Sequence, residues 1–186
     1  MKLHFLKKLI RLGLLMVLLH LGAGTGWAVP REARVKSVKG QVEYAAPGSQ
    51  KFESLKADMK LAIGSQVKTG ADGEAIIVAV PGAAIRLSAS THIILGPNDF
   101  AKNGDKVTSR KALVDLKSGT VSALINHNER DVTDFQIKTP QGVAAARGTF
   151  YAVTVENGKA AIAVKEGKVG MRKFKAKAGK AATSKS

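Results

Sequence analysis

Between residues 34 and 171 the apolar side chains come in short runs, and nearly every run stops at a glycine, a proline or an Asn/Asp turn. That spacing leaves little room for an amphipathic helix, which needs apolar residues at three- and four-residue intervals over several turns. Ile85, Leu87 and Ala89 alternate with Arg86, Ser88 and Ser90, the two-residue period of a strand with one wet face. Glu74 to Val80 is apolar at almost every position, so this strand is predicted to face no water on either side. Pro81-Gly82 and Gly96-Pro97-Asn98-Asp99 supply turns. Further strands are predicted around Gly40 in 34–44 and at 113–116, 120–125, 135–138, 150–156, 160–165 and 168–171. Residues 97–111 predict a mobile polar connection and 126–134 a polar loop, with one short helical turn near 55–61. The body is therefore predicted to be all-β, its short strands stacked as a β-roll, a β-helix or a sandwich.

Aromatic residues make up only 5% of the chain, so Val, Ile, Leu and Ala must fill the core, and such side chains suit a thin layer between strands. Two internal echoes suggest related halves within one β structure. Val67-Lys-Thr-Gly-Ala-Asp-Gly-Glu-Ala75 is matched by Ile137-Lys-Thr-Pro-Gln-Gly-Val-Ala-Ala145. A shorter signature, Gly-x-Val, recurs at Gly40, Gly119 and Gly167.

Residues 1–28 obey different rules. Lys2, Lys7, Lys8 and Arg11 precede an apolar stretch, Leu12 to Leu21, and then Gly22-Ala-Gly-Thr-Gly-Trp-Ala28. A basic start, an apolar segment and small residues at the end make a secretory signal peptide. Cleavage is expected between Ala28 and Val29, where Gly26 and Ala28 present the small side chains that signal peptidase requires. The apolar stretch is nearer half the ~20 residues of a membrane span, which favours removal over anchoring. The expected organisation is a signal peptide at 1–28, a β domain at 29–171 and a basic disordered tail at 172–186. The expected location is the periplasm or the cell exterior.

The chain holds 30 Lys+Arg against 14 Asp+Glu, a formal charge of +16. Arg172, Lys173, Lys175, Lys177, Lys180 and Lys185 contribute to this excess without an intervening acid. They are candidate electrostatic contacts to an anionic polymer or lipid surface, weighed against a solvated end that keeps the protein soluble. Nucleic acid is disfavoured, because the tail carries no aromatic residues spaced for base stacking. There is no cysteine, which excludes disulfides, thiolate chemistry, Cys-based metal sites and an N-terminal lipid anchor.

A series of motifs resembles the FecR-type domain. It runs through Gly40-x-Val42, Leu61-x-x-Gly64-x-x-Val67-x-Thr69-Gly70, Gly82-x-x-Ile85-x-Leu87 and Leu116-x-x-Gly119-x-Val121. It continues through Phe135-x-Ile137-x-Thr139-Pro140, then Gly142-Val-Ala-Ala-Ala-Arg147-Gly148-Thr149-x-x-x-Val153, and ends at Val164-x-Glu166-Gly167-x-Val169. The Thr-Pro-x-Gly…Arg-Gly-Thr portion is the most specific. The resemblance implies a periplasmic, β-rich domain used for interaction or signalling. In better-understood members it senses an outer-membrane transporter and relays that state to an anti-sigma domain ahead of a membrane helix. Only 11 residues precede the apolar segment here, so direct sigma-factor control is not expected. Thr69, Gly70, Thr139, Pro140, Gly142, Arg147, Gly148, Thr149, Glu166 and Gly167 are the family-motif positions, expected to be structural. Arg147 could present its guanidinium to an anion, but three preceding alanines favour a packed turn.

Constellations for catalysis are missing from the pattern. His92 and His127 are isolated from further metal ligands, and Ser88 or Ser90 beside His92 lacks a nucleophile elbow. Asp131 and Asp134 sit in a polar loop, where turn chemistry is the ordinary role of aspartate. No phosphate-binding fingerprint opens a helix, and nothing implies a cofactor. The expectation is a non-enzymatic envelope module whose partner is another envelope protein. Its rivals are an anionic-glycan or surface-binding structural protein and, last, a polysaccharide lyase.

Overall fold

The computed structural model describes residues 32–125, 127–146 and 150–174. The predicted signal peptide with its cleavage point between Ala28 and Val29, the triplet Arg147-Gly148-Thr149, and Lys175, Lys177, Lys180 and Lys185 lie outside the described residues.

The described residues are all-β, as the short alternating runs require. Fourteen strands form one continuous sheet folded over into two layers. The first layer is built from β1 (Ala33–Lys39), β4 (Lys60–Leu61), β6 (Glu74–Val80), β7 (Ala83–Leu87), β12 (Phe150–Glu156) and β13 (Lys159–Glu166). The second is built from β2 (Val42–Ala45), β3 (Glu53–Ser54), β5 (Gln66–Thr69), β8 (His92–Asn103), β10 (Thr133–Thr139), β11 (Gly142–Ala146) and β14 (Val169–Lys173). The long strand β9 (Lys106–Ile125) belongs to both. As far as Ser118 it pairs with β8 and, in part, β10; from Gly119 it pairs with β7 and β12. The orders are β4-β1-β6-β7-β9-β12-β13 and β3-β2-β5-β8-β9-β10-β11-β14. Neighbours are antiparallel except β9 and β10, which run parallel because the chain passes through the first layer before returning to the second.

Glycine makes the fold-over. The chain crosses between layers at Gly40, Gly119 and Gly167, with φ of 59°, 84° and 83°, a region that side-chain-bearing residues avoid. The recurring Gly-x-Val signature is thus a crossing followed by the first inward side chain of the next strand: Val42, Val121 or Val169. At Gly119 there is also no space for a side chain, since a Cβ would lie 2.5 Å from Thr91 Cα.

Alternation along each strand sends one face into a single core. Val35, Ile77, Ile85, Val121 and Val153 meet it from the first layer, and Val67, Ile93, Val114, Leu116 and Ile137 from the second, all fully buried. Each such side chain contributes about 1.5–3 kcal/mol. Glu74 to Val80 is apolar on both faces, yet only Ala75, Ile77, Ala79 and Val80 are buried; Ile76 and Val78 lie half-buried on the outer surface.

Four expectations are corrected. Residues 97–111 are no mobile connection: Asn98 to Asn103 pair with Lys106 to Ala112 around Gly104. Backbone bonds hold that hairpin, and hydropathy does not register them. No helical turn forms at 55–61. Leu55 and Leu61 are buried by separate attachments, the Leu55 amide bonding Val42 O and the Asp58 amide bonding Val35 O. The stretch after Ile125 holds a 3-10 turn, His127–Val132, and Thr133 and Asp134 already belong to β10. Arg172 and Lys173, read as the start of a disordered tail, finish β14 opposite Val143 and Gly142.

Candidate functional site

By register, the turns after Thr69 and Thr139, the Gly119 crossing and the start of β13 share one rim of the sandwich. Layer crossings strand backbone groups there, and buried polar groups must find partners. Threonines supply them. Thr69 Oγ1 donates to the Ser88 carbonyl at 2.6 Å and accepts the Thr91 amide at 2.8 Å. Thr91 Oγ1 accepts the Thr120 amide at 2.9 Å, and the Thr120 and Thr154 hydroxyls meet at 2.9 Å. Gly70 joins the same corner, its amide bonding Gln41 O and its carbonyl accepting the amides of Gly73 and Ser90. Thr69 and Gly70 are therefore engaged in holding the crossing together.

At the second turn, Thr139 Oγ1 donates to the Gly142 carbonyl at 3.0 Å and accepts the Gly142 amide at 3.2 Å. Pro140 is exposed at the tip. Gly142 lies against β14, where a Cβ would come 2.4 Å from Arg172 O. Between them Gln141 has a role that no sequence pattern announces. Its carbonyl accepts the Phe174 amide, and its side-chain oxygen accepts the Ala160 amide of β13 at 2.8 Å. One turn thus ties the last strand of each layer together. Glu166 and Gly167 lie at the opposite rim, exposed, where β13 crosses to β14.

The outer face of the second layer carries charge. Burial alone would raise the Asp115 carboxyl, but hydrogen bonds from Lys117 at 2.9 Å and Lys138 at 3.0 Å outweigh it and hold it below its usual range. Burial, with Lys68 and Lys117 adding, lowers His92, whose Nε2 lies 3.1 Å from the Gln66 side-chain oxygen. Asp134 accepts both contacts of the Gln136 amide group, at 3.0 and 3.1 Å. Among the described residues no group of three or more His, Asp or Glu is placed to hold a metal. Ser90 does not serve His92; it turns the chain with φ of 53°. Tyr151 is fully buried with an unpartnered hydroxyl, and burial, with the charge of Asp134, pushes its ionisation up.

The sandwich ends unevenly. On one side the edge strands β3 and β4 have two residues each, whereas on the other β13 has eight and β14 five. Along β13 the inward side chains Ala160 and Ile162 are only half-buried and Val164 is 45% exposed. Val169 and Met171 of β14 are also half-exposed. The core therefore opens between the two long edges.

A family model described as FecR protein matches residues 65–170, more than half of the chain. The chain belongs to the FecR family. No curated protein and no solved structure matches it. In this FecR domain the matched span runs from Ser65, ahead of β5, to Gly170 in β14, so it includes both turns of the threonine rim and the long edge β13. The FecR family is regulatory and envelope-associated rather than enzymatic. Among the described residues no helix is long and apolar enough to cross a membrane.

Proposed function

We propose that this protein is an exported, non-enzymatic FecR module that works by binding another protein of the cell envelope. The family match across the central strands of the sandwich carries this reading. The surface chemistry agrees with it: Asp115 and Asp134 are engaged by neighbouring side chains, and the family-motif residues Thr69 and Thr139 cap backbone groups. In this reading residues 1–28 are removed on export, 29–171 with the end of β14 form the domain, and the basic residues beyond it remain attached.

Two measurements on the full-length gene product test it. N-terminal sequencing of protein recovered from the envelope fraction should begin at Val29; retention in the cytoplasm with Met1 intact overturns export. Affinity capture after cross-linking in the envelope should recover one specific protein in stoichiometric amount. Recovery of polysaccharide alone, or of nothing, overturns the interaction reading.

A further inference from the structure

The geometry points to β13 as a docking strand that adds an extended segment of the partner to the first layer, the segment alternating apolar with acidic side chains. This rests on the interaction reading above and gives it a site and a partner chemistry.

The first argument is the direction of the backbone groups. In an antiparallel pair, residues alternately exchange both backbone bonds with the neighbour or exchange none. Ala160 sends its amide to the Gln141 side chain, so it belongs to the outward set. The register with β12 is unbroken from Glu156↔Lys159 to Tyr151↔Val164, so Ile162 and Val164 point the same way. β13 pairs with β12 alone, and among the described residues no partner meets the outward groups of Ile162 and Val164. Gln141 caps the third outward position and sets the end of the free edge.

The second argument is the open core. Ile162 and Val164 face inward but stay partly exposed, opposite Val169 and Met171 on the other open edge. A strand laid along β13 would place every second side chain into this mouth, and apolar side chains there would complete the core. Its other face would lie beside Ala161 and Ala163, whose small size leaves room for larger neighbours.

Charge selects the occupant. Lys159 and Lys165 bracket the free edge, with Lys168 just beyond; the acids nearby are Glu166 at its far end and Glu156, opposite Lys159 on β12. Lysines of this kind deter pairing with like strands. A second copy aligned for full overlap would set Lys159 opposite Lys165 at both ends, and like charges directly opposite are destabilising. The chain's own residues 175–186 carry lysines and no acid, so the same repulsion disfavours them. An acidic, apolar-alternating strand meets neither objection, and main-chain bonds with pockets for alternate side chains are the usual mode of strand addition.

The probe is an end-capped eight-residue peptide of alternating valine and glutamate, with two controls: lysine replacing glutamate, and N-methylation of alternate amides. Binding to the full purified protein is followed by fluorescence anisotropy, and amide exchange by NMR. The acidic peptide should bind saturably and protect the Ile162 and Val164 amides; both controls should bind at least ~10-fold more weakly. Val164→Pro removes only an outward amide, a change edge strands tolerate, and should weaken binding ~10-fold or more without altering the far-UV spectrum. Should that variant fold poorly, Lys165→Glu keeps the test sharp, since it should reverse the preference between the acidic and basic peptides. Equal binding of the N-methylated peptide, protection elsewhere, or no binding overturns the proposal. A dimer that Val164→Pro dissociates also overturns it, because the edge then serves a second copy. If a Val164→Pro bait still captures the envelope partner, the edge is wrong and the interaction reading survives; an empty wild-type capture sinks that reading instead.

Discussion

Gly119→Ala tests the crossing that joins the two layers. Alanine at φ of 84° enters the left-handed region, at about 1–2 kcal/mol. Its Cβ would also lie 2.4 Å from Thr91 Oγ1, 2.5 Å from Thr91 Cα and 2.6 Å from Ser90 O. Two of these contacts are backbone or directly beside it, so the corner must shift rather than a flexible side chain. Shifting it breaks the Thr91 hydroxyl's bond to the Thr120 amide, and leaving such a group unsatisfied costs about 1–3 kcal/mol. With the steric term the total is ~4 kcal/mol or more. Gly158→Ala is the control, because its φ is 72° and nothing lies within 4 Å of a Cβ there. It should lose only the ~1–2 kcal/mol of backbone strain. At about 2–4 °C per kcal/mol for a domain of this size, melting followed by far-UV circular dichroism should fall by ~8–16 °C for Gly119→Ala. The control should fall by ~2–8 °C. Equal losses would show that the crossing is not the close-packed corner described above.

Three smaller perturbations probe the interior and the charged face. Thr91→Val removes the hydroxyl that serves Thr120 and should destabilise by about 2 kcal/mol in urea unfolding; a loss under ~0.5 kcal/mol contradicts the threonine relay. Tyr151→Phe deletes a buried hydroxyl without a partner, so stability should stay within ~0.5 kcal/mol or rise, and a clear loss would reveal a partner. For His92 the folded value lies below the usual 6.5. The unfolded chain therefore binds more protons just under that pH, and stability must fall as pH drops through the interval. His92→Gln should remove that part of the slope just below about pH 6.5; an identical slope in the variant refutes the assignment.

Strand content was legible because alternation at Ile85 and Leu87 reports burial directly, although Ala89, read as the next inward position, lies exposed in the turn after β7. Gly-x-Val at Gly40, Gly119 and Gly167 was visible as a repeat, but its meaning as a layer crossing needed the backbone angles. The hairpin across Gly104 was hidden, since most of its side chains are polar, and the burial of Phe100 and Arg110 within it leaves no apolar alternation in the sequence. The division of β9 between layers, and its parallel pairing with β10, depend on contacts distant in sequence and leave no periodic trace. Thr139, Pro140 and Gly142 marked a turn in the sequence, whereas Gln141, which fastens β13 to that turn, has no propensity that announces it. Thr91 likewise carries no pattern in the sequence that marks its place in the corner. The openness of β13 could not be read from Lys159 to Glu166, whose unbroken apolar run from Ala160 to Val164 resembles that of a covered strand.

Site-specific photo-cross-linking in growing cells tests most directly whether this FecR module acts by engaging an envelope protein. A photoreactive residue at position 164, on the open edge, is compared with one at position 104, at the exposed turn between β8 and β9. Position 164 should yield one discrete adduct with a single envelope protein, and position 104 none. Absence of any protein adduct from position 164 and from the remaining positions of β13 and β14 would contradict the account.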